Sequence, residues 1–121
     1  MQESSACVRA PSTPGVHSNP GIMQSDQGQG TCNSNGTILL PCPYASIYQM
    51  VYDGTAGSRY DAVSLVKMLN VASSMASDNP AQTYYQGARL YNSGPYSLQN
   101  TTDLGSPGST RCYASDVANC L

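Results

Sequence analysis

Apolar residues recur at a regular spacing only in the second two-thirds of the chain. From Ser12 to Gly36 the sequence is dominated by Pro, Gly, Ser, Asn and Gln, with almost no hydrophobic period. That stretch predicts loop, with a short hairpin around Gly21–Ser25. Beyond it the pattern becomes helical. Tyr44 to Asp53 places Ile47, Met50 and Val51 at helical spacing, with Gly54 as the C-terminal stop. A second helix is predicted from about Asp61 to Ala76, where Ala62, Leu65, Val66, Leu69 and Ala72 line one face. Asn79 and Pro80 supply a cap and a first-turn proline for a third helix. It runs through Tyr84, Tyr85, Ala88 and Tyr91 and ends at Ser93-Gly94-Pro95. Residues Tyr96 to Ser109 read as a long loop. A last helix opens near Thr110 and carries Cys112, Val117 and Leu121 on roughly one side. The expected class is mainly α, with a loop-rich or small-hairpin region in the N-terminal third.

Length and charge narrow the picture. At 121 residues, the chain 1–121 is expected to form a single domain. Charged residues make up 10% and the net charge is −2, which argues against a nucleic-acid footprint. No apolar run approaches the roughly 20 residues a bilayer span requires, so no membrane association is expected. Met1-Gln2-Glu3-Ser4 has neither the basic start nor the apolar stretch of a signal peptide. Even so, the composition reads as secreted: Lys is nearly absent, and Ser, Thr, Asn, Gly and Tyr abound. Sequons for glycosylation occur at Asn35-Gly36-Thr37 and Asn100-Thr101-Thr102.

Five cysteines point to an oxidising compartment. Cys32 and Cys42 bracket a short polar segment and are expected to pair locally. Cys7 with Cys112 would then tie the N-terminal end to the last helix, leaving Cys120 over. A metal centre is disfavoured, because there is no Cys-x-x-Cys and His17 is the sole histidine.

The chemistry lies in three short motifs. Glu3, the only glutamate, opens Glu3-Ser4-Ser5; Gly21-Ile22-Met23-Gln24 begins 18 residues later; Tyr91-Asn92-Ser93-Gly94 closes the third predicted helix. In that order they resemble the signature of the goose-type lysozymes and soluble lytic transglycosylase domains, glycoside hydrolase family 23, and the Ser/Asn/Tyr-rich composition with its two sequons resembles the family's small secreted fungal members. The resemblance implies a lysozyme-like α+β fold in which Glu3 is the catalytic acid. Such a carboxyl group must be kept protonated by apolar surroundings to deliver its proton, and Ile22, Met23 and Tyr91 are the implied wall. The resemblance further assigns a polar substrate contact to Gln24, places the Tyr91 hydroxyl near the acid, and turns Asn92 toward an N-acetyl group.

Asp26 follows the wall motif at the offset where goose-type lysozymes carry an Asp that positions the attacking water. Water activation on the opposite sugar face is the inverting geometry. The family's further Asp between the Glu and the wall motif has no counterpart here, where His17 and Asn19 stand instead. The implied activity is therefore a muramidase cleaving between N-acetylmuramic acid and N-acetylglucosamine in peptidoglycan, antibacterial and secreted. It would need no cofactor or metal and act as a monomer, with chitin-like oligosaccharides as further substrates. Two alternatives are a lytic transglycosylase releasing a 1,6-anhydro product and a glycan-binding fragment with little turnover. In the family the Glu closes a helix; with two residues before Glu3, that helix is expected to be missing and the chain truncated at both ends. Tyr84, Tyr85, Tyr96 and Tyr113 are further stacking candidates. Arg89 and Arg111 are expected on a solvated face, within reach of peptide-stem carboxylates.

Overall fold

Strand pairing forms around Asn35-Gly36, not around Gly21–Ser25. In the computed structural model, which describes residues 2–58, 63–75, 79–98, 110 and 112–119, β1 (Asn33–Ser34) and β2 (Thr37–Ile38) pair antiparallel, Asn33 opposite Ile38. Asn35 and Gly36 take φ of 50° and 85°. Two consecutive left-handed residues make the type I′ turn whose twist suits a two-residue hairpin, and Asn-Gly is the dipeptide that adopts it most readily. The 21–24 segment is a tight turn instead. Gln24 N–H donates to Gly21 O and Ser25 N–H to Pro20 O, each at 3.1 Å. That region lacks the alternating apolar positions that would give a strand a buried face.

The described residues are mainly helical: α1 is Tyr44–Thr55, α2 Leu65–Met75, α3 Pro80–Ser93 and α4 Tyr113–Asn119, with a 3-10 turn at Pro95–Leu98. The chain divides into two compact units, residues 1–64 and 65–121.

In the first unit α1 begins after Pro43 and runs through the expected stop at Gly54 to Thr55. Gly57, at φ +106°, is the glycine that ends it, its N–H reaching back to Tyr52 O at 3.3 Å. Gly54 has a different task. A Cβ there would lie 2.5 Å from Met23 Sδ and 2.6 Å from Met23 Cβ, so the glycine is what lets the 21–24 turn approach the helix. The buried stripe of α1 holds Met50, Asp53 and Gly54, while Val51, expected inside, is exposed. Met50 packs with Ile22 and Cys32, and Val8, Met23 and Cys42 close around them. The Cys32–Cys42 disulfide lies in this cluster and ties the hairpin to the residues leading into α1. The second expected pairing is not formed: Cys7 and Cys112 are exposed free thiols, each on the surface of its own unit.

In the second unit α2 starts at Leu65, later than expected, because Val63 and Ser64 lie outside the helix. Serine is a residue type favoured just before a first helical turn. Met68 and Ala72 are its buried residues, and Val66 faces solvent at 53% exposure, so the inward stripe is rotated from the predicted one. The predicted ends at Asp61 and Ala76 lie outside the described residues. For α3 the prediction holds closely. Asn79 Oδ1 accepts from Ala81 N–H (3.1 Å) and Gln82 N–H (3.4 Å), Pro80 opens the first turn, and Gly94 (φ 80°) closes the helix with its N–H on Leu90 O at 2.8 Å. Gly87, Ala88, Arg89 and Leu90 are buried in succession, a full turn enclosed on all sides. α3 packs against α2, α4 and the 3-10 turn. A Cβ on Gly87 would meet Leu69 Cδ2 at 2.6 Å, and Ala88 joins Tyr113 and Ala114 of α4 in a second cluster. α4 turns Tyr113, Ala114 and Val117 inward and leaves Cys112 exposed ahead of it. Leu121, Arg111, the second sequon and residues 99–109 of the predicted loop lie outside the described residues.

Candidate functional site

Glu3 sits in a run of turns over residues 2–6 and is half-buried. Ser5 and Ala6 take φ of 52° and 61°, and Cys7 N–H closes on Ser4 O at 3.0 Å. Two contacts then fasten the segment to the wall motif. Ser4 Oγ donates to Ile22 O at 2.7 Å, and Val8 packs on the cluster that holds Ile22. Ile22 is buried at 6% exposure, so the Ser4 bond is anchored to rigid backbone. The residue before Ser4 is thereby held beside the Gly21–Gln24 turn.

Met23 is half-buried and faces Gly54 of α1. Gln24, expected to meet substrate, is engaged by the protein. Its Nε2 donates to Gly21 O at 2.9 Å and Pro11 O at 3.3 Å, and its Oε1 accepts both Thr13 N–H at 3.0 Å and the Thr13 hydroxyl. Both amide protons and both carbonyl lone pairs are used. Gln24 therefore acts as a brace, holding the 13–19 loop that is closed by the Thr13–Asn19 bridge.

That loop brings His17 to Asp26. His17 Nδ1 and Asp26 Oδ1 are 3.3 Å apart, with the side chains 49% and 31% exposed. Val63 N–H donates to Asp26 Oδ2 at 3.4 Å. Asp26 thus has one partner on each oxygen and acceptor capacity to spare, since an ionised carboxylate takes about four hydrogen bonds. At this exposure the His17 contact orients the carboxylate more than it stabilises the fold.

Tyr91 and Asn92 belong to the second unit. Tyr91 is half-buried against the Ala88–Tyr113–Ala114 cluster, and Asn92 Oδ1 accepts from Ser93 Oγ at 3.0 Å. Among the other tyrosines, Tyr84 and Tyr96 are strongly exposed, Tyr85 less so, and Tyr113 is buried at 6%. Arg89 is buried at 2%, not on a solvated face, because the α3 turn that carries it is enclosed.

Asp53 is the residue that the sequence reading missed. It is 1% exposed on α1, and its carboxylate gathers three donors. Gln29 N–H and Gly30 N–H reach Oδ2 at 2.6 and 2.8 Å, and Gln49 Nε2 reaches Oδ1 at 2.8 Å. The available signal was its position: Asp53 lies three residues after Met50, on the stripe that faces the core. A carboxylate at such a position must find donors, since burial without them costs several kcal/mol. Beside it opens a cleft of about 430 Å³ lined by Gln29, Gln49, Tyr52, Asp53, Gly57 and Ser58.

Compared with models of known families, with characterised proteins and with solved structures, the chain gives no significant match.

Proposed function

We propose that the chain is a lysozyme-like muramidase, hydrolysing the β-1,4 bond between N-acetylmuramic acid and N-acetylglucosamine in peptidoglycan. The observation that supports this reading best is the Ser4 Oγ–Ile22 O hydrogen bond, which fastens the Glu3-Ser4-Ser5 segment to the Gly21–Gln24 turn across 18 residues of sequence. The resemblance sets the Gly21–Gln24 segment behind the acid, and a bond between the two segments supports that arrangement. Glu3 is the general acid and protonates the bridging oxygen as the glycosidic bond breaks. Asp26 positions the water that attacks the anomeric carbon from the opposite face, and accepts its proton. His17, on the other oxygen, keeps the Asp26 carboxylate from turning away. In this reading Met23 contributes to the apolar wall. The Cys32–Cys42 bridge suits a protein that works in an oxidising, extracellular setting.

A cell-wall lysis assay on the parent and on Glu3→Gln tests the proposal. The variant is expected to lose at least a hundredfold in rate, and equal rates would remove Glu3 from the chemistry. Mass spectrometry of the released fragments then separates the outcomes: a free reducing end marks hydrolysis, whereas a 1,6-anhydro terminus marks a transglycosylase.

A further inference from the structure

The cleft beside Asp53 has a lining whose chemistry selects its ligand. The described residues of its lining, Gln29, Gln49, Tyr52, Asp53, Gly57 and Ser58, set amide, carboxylate and hydroxyl groups beside an aromatic ring. Among those described residues Asp53 carries the formal charge, and three of its roughly four acceptor positions are already filled by Gln29 N–H, Gly30 N–H and the Gln49 amide. A single carboxylate so occupied offers little to a cation, and it repels an anion. What remains is neutral hydrogen bonding and one aromatic face. Ser58 Oγ is buried and has no hydrogen-bond partner among the described residues, an arrangement that is unfavourable until a ligand or water satisfies it. Tyr52 stands at the rim with its side chain 47% exposed, and Tyr48, one turn earlier on α1, stacks on it with ring centroids 6.2 Å apart. Tyrosine rings in such a setting bind the apolar face of a pyranose while polar neighbours take its hydroxyls.

We propose that this cleft is a carbohydrate subsite that holds one ring of a β-1,4-linked N-acetylhexosamine chain, with Tyr52 under the sugar face and Ser58 and Gln49 on its polar edge. That the ligand is a sugar ring is argued from the exposed Tyr52 face and the Ser58 and Gln49 polar groups beside it. That the sugar is N-acetylated rests on the muramidase reading. The chain continues from the cleft over Tyr48 along α1, which gives the protein a hold on polysaccharide separate from the chemistry at Glu3.

Isothermal titration of the Glu3→Gln protein with the N-acetylglucosamine tetramer tests this, since blocking turnover leaves binding to be read alone. Tyr52→Ala in that background is expected to weaken binding tenfold or more, and Ser58→Ala about fivefold. Val66→Ala, which trims an exposed side chain of α2, is expected to leave affinity unchanged. Circular dichroism on each variant confirms the fold. Absence of tetramer binding in the Glu3→Gln protein, or equal affinity after both Tyr52→Ala and Ser58→Ala, overturns the subsite. The two readings fail separately: Tyr52-dependent binding alongside undiminished lysis by Glu3→Gln sinks the muramidase and keeps the subsite. Lysis that needs Glu3, with binding indifferent to Tyr52 and Ser58, does the reverse.

Discussion

The Asp53 carboxylate accepts the backbone N–H of Gly30 at 2.8 Å, and Gly30 lies so close to α1 that a Cβ on it would meet Met50 N at 2.3 Å. The two facts have one cause. A glycine lets the 28–31 backbone come down onto the helix, and the helix supplies a carboxylate for the amides thereby cut off from water. Burial of Asp53 is tolerated because its oxygens are met by three donors at 2.6–2.8 Å.

Removing the carboxylate should therefore cost more than any single hydrogen bond. Asp53→Ala leaves the Gln29 and Gly30 N–H groups without their acceptor, and each deserted donor costs about 1–3 kcal/mol. The expected loss is about 3 kcal/mol in urea denaturation. Asp53→Asn keeps an oxygen for both amides, and Gln49 can flip to accept from the new amide group, so it should cost about 1 kcal/mol. Equal losses for the two variants would show that the charge, not the acceptor geometry, carries the stability.

Glycine substitutions separate contact from conformation. Gly30→Ala forces a methyl into the Met50 backbone, which cannot move aside, and should cost more than about 3 kcal/mol or prevent folding. Gly36→Ala meets nothing within 4 Å. Its penalty comes only from a left-handed φ of 85°, about 1–2 kcal/mol. Thermal denaturation of the two proteins, read against the parent, should rank them in that order.

How much of this was legible in the sequence depended on whether the cause was local. Asn79, Pro80 and Gly94 act through their own backbone, and α3 lies where they predict. Gly54 and Gly57 could not be told apart in that way. Both are glycines near a helix end, and only the position of Met23, 31 residues earlier in sequence, decides that Gly54 is a contact and Gly57 the stop. Asn35-Gly36 carried a hairpin signal as strong as any in the chain, but the dipeptide also begins a sequon and was read as one. Ser4 and Ile22 meet across 18 residues of sequence, a contact that no local pattern announces. The resemblance assigns Gln24 to substrate, whereas its actual partners, Thr13, Pro11 and Gly21, are loop backbone and hydroxyl groups that leave no periodic trace. Asp53 was passed over because a lone acid on an apolar stripe looks like an interruption until its donors are seen.

The Cys32–Cys42 bridge should contribute measurably to the first unit. It closes a loop across a sequence separation of 10, for which the chain-entropy account gives about 2–3 kcal/mol. The double variant Cys32→Ser, Cys42→Ser should lose that much in chemical denaturation. Cys7→Ser, at an exposed free thiol, should stay within about 0.5 kcal/mol of the parent. A larger loss at Cys7 would point to a structural role that its exposure does not suggest.

The Ser4–Ile22 hydrogen bond permits a test of positioning that stability alone cannot give. Ser4→Ala deletes one neutral hydrogen bond at 2.7 Å, which should lower stability by about 1 kcal/mol. If the bond aims Glu3, the effect on turnover should be much larger, because a shift of about 1 Å in a reacting group costs on the order of a hundredfold. The loss should fall on kcat and leave KM nearly constant, since the substrate contacts are not made by Ser4. Ser4→Thr keeps the hydroxyl and should recover most of the rate. Asp26→Asn provides the contrast: it keeps the turn but removes the base that the proposed muramidase requires, so on that proposal kcat should fall at least a hundredfold and the threonine-type rescue has no counterpart. Steady-state kinetics on soluble peptidoglycan fragments measure all three. A Ser4→Ala protein that melts earlier yet turns over at the parental rate would make Ser4 a structural residue alone, and would take away the observation that best supports Glu3 as the acid.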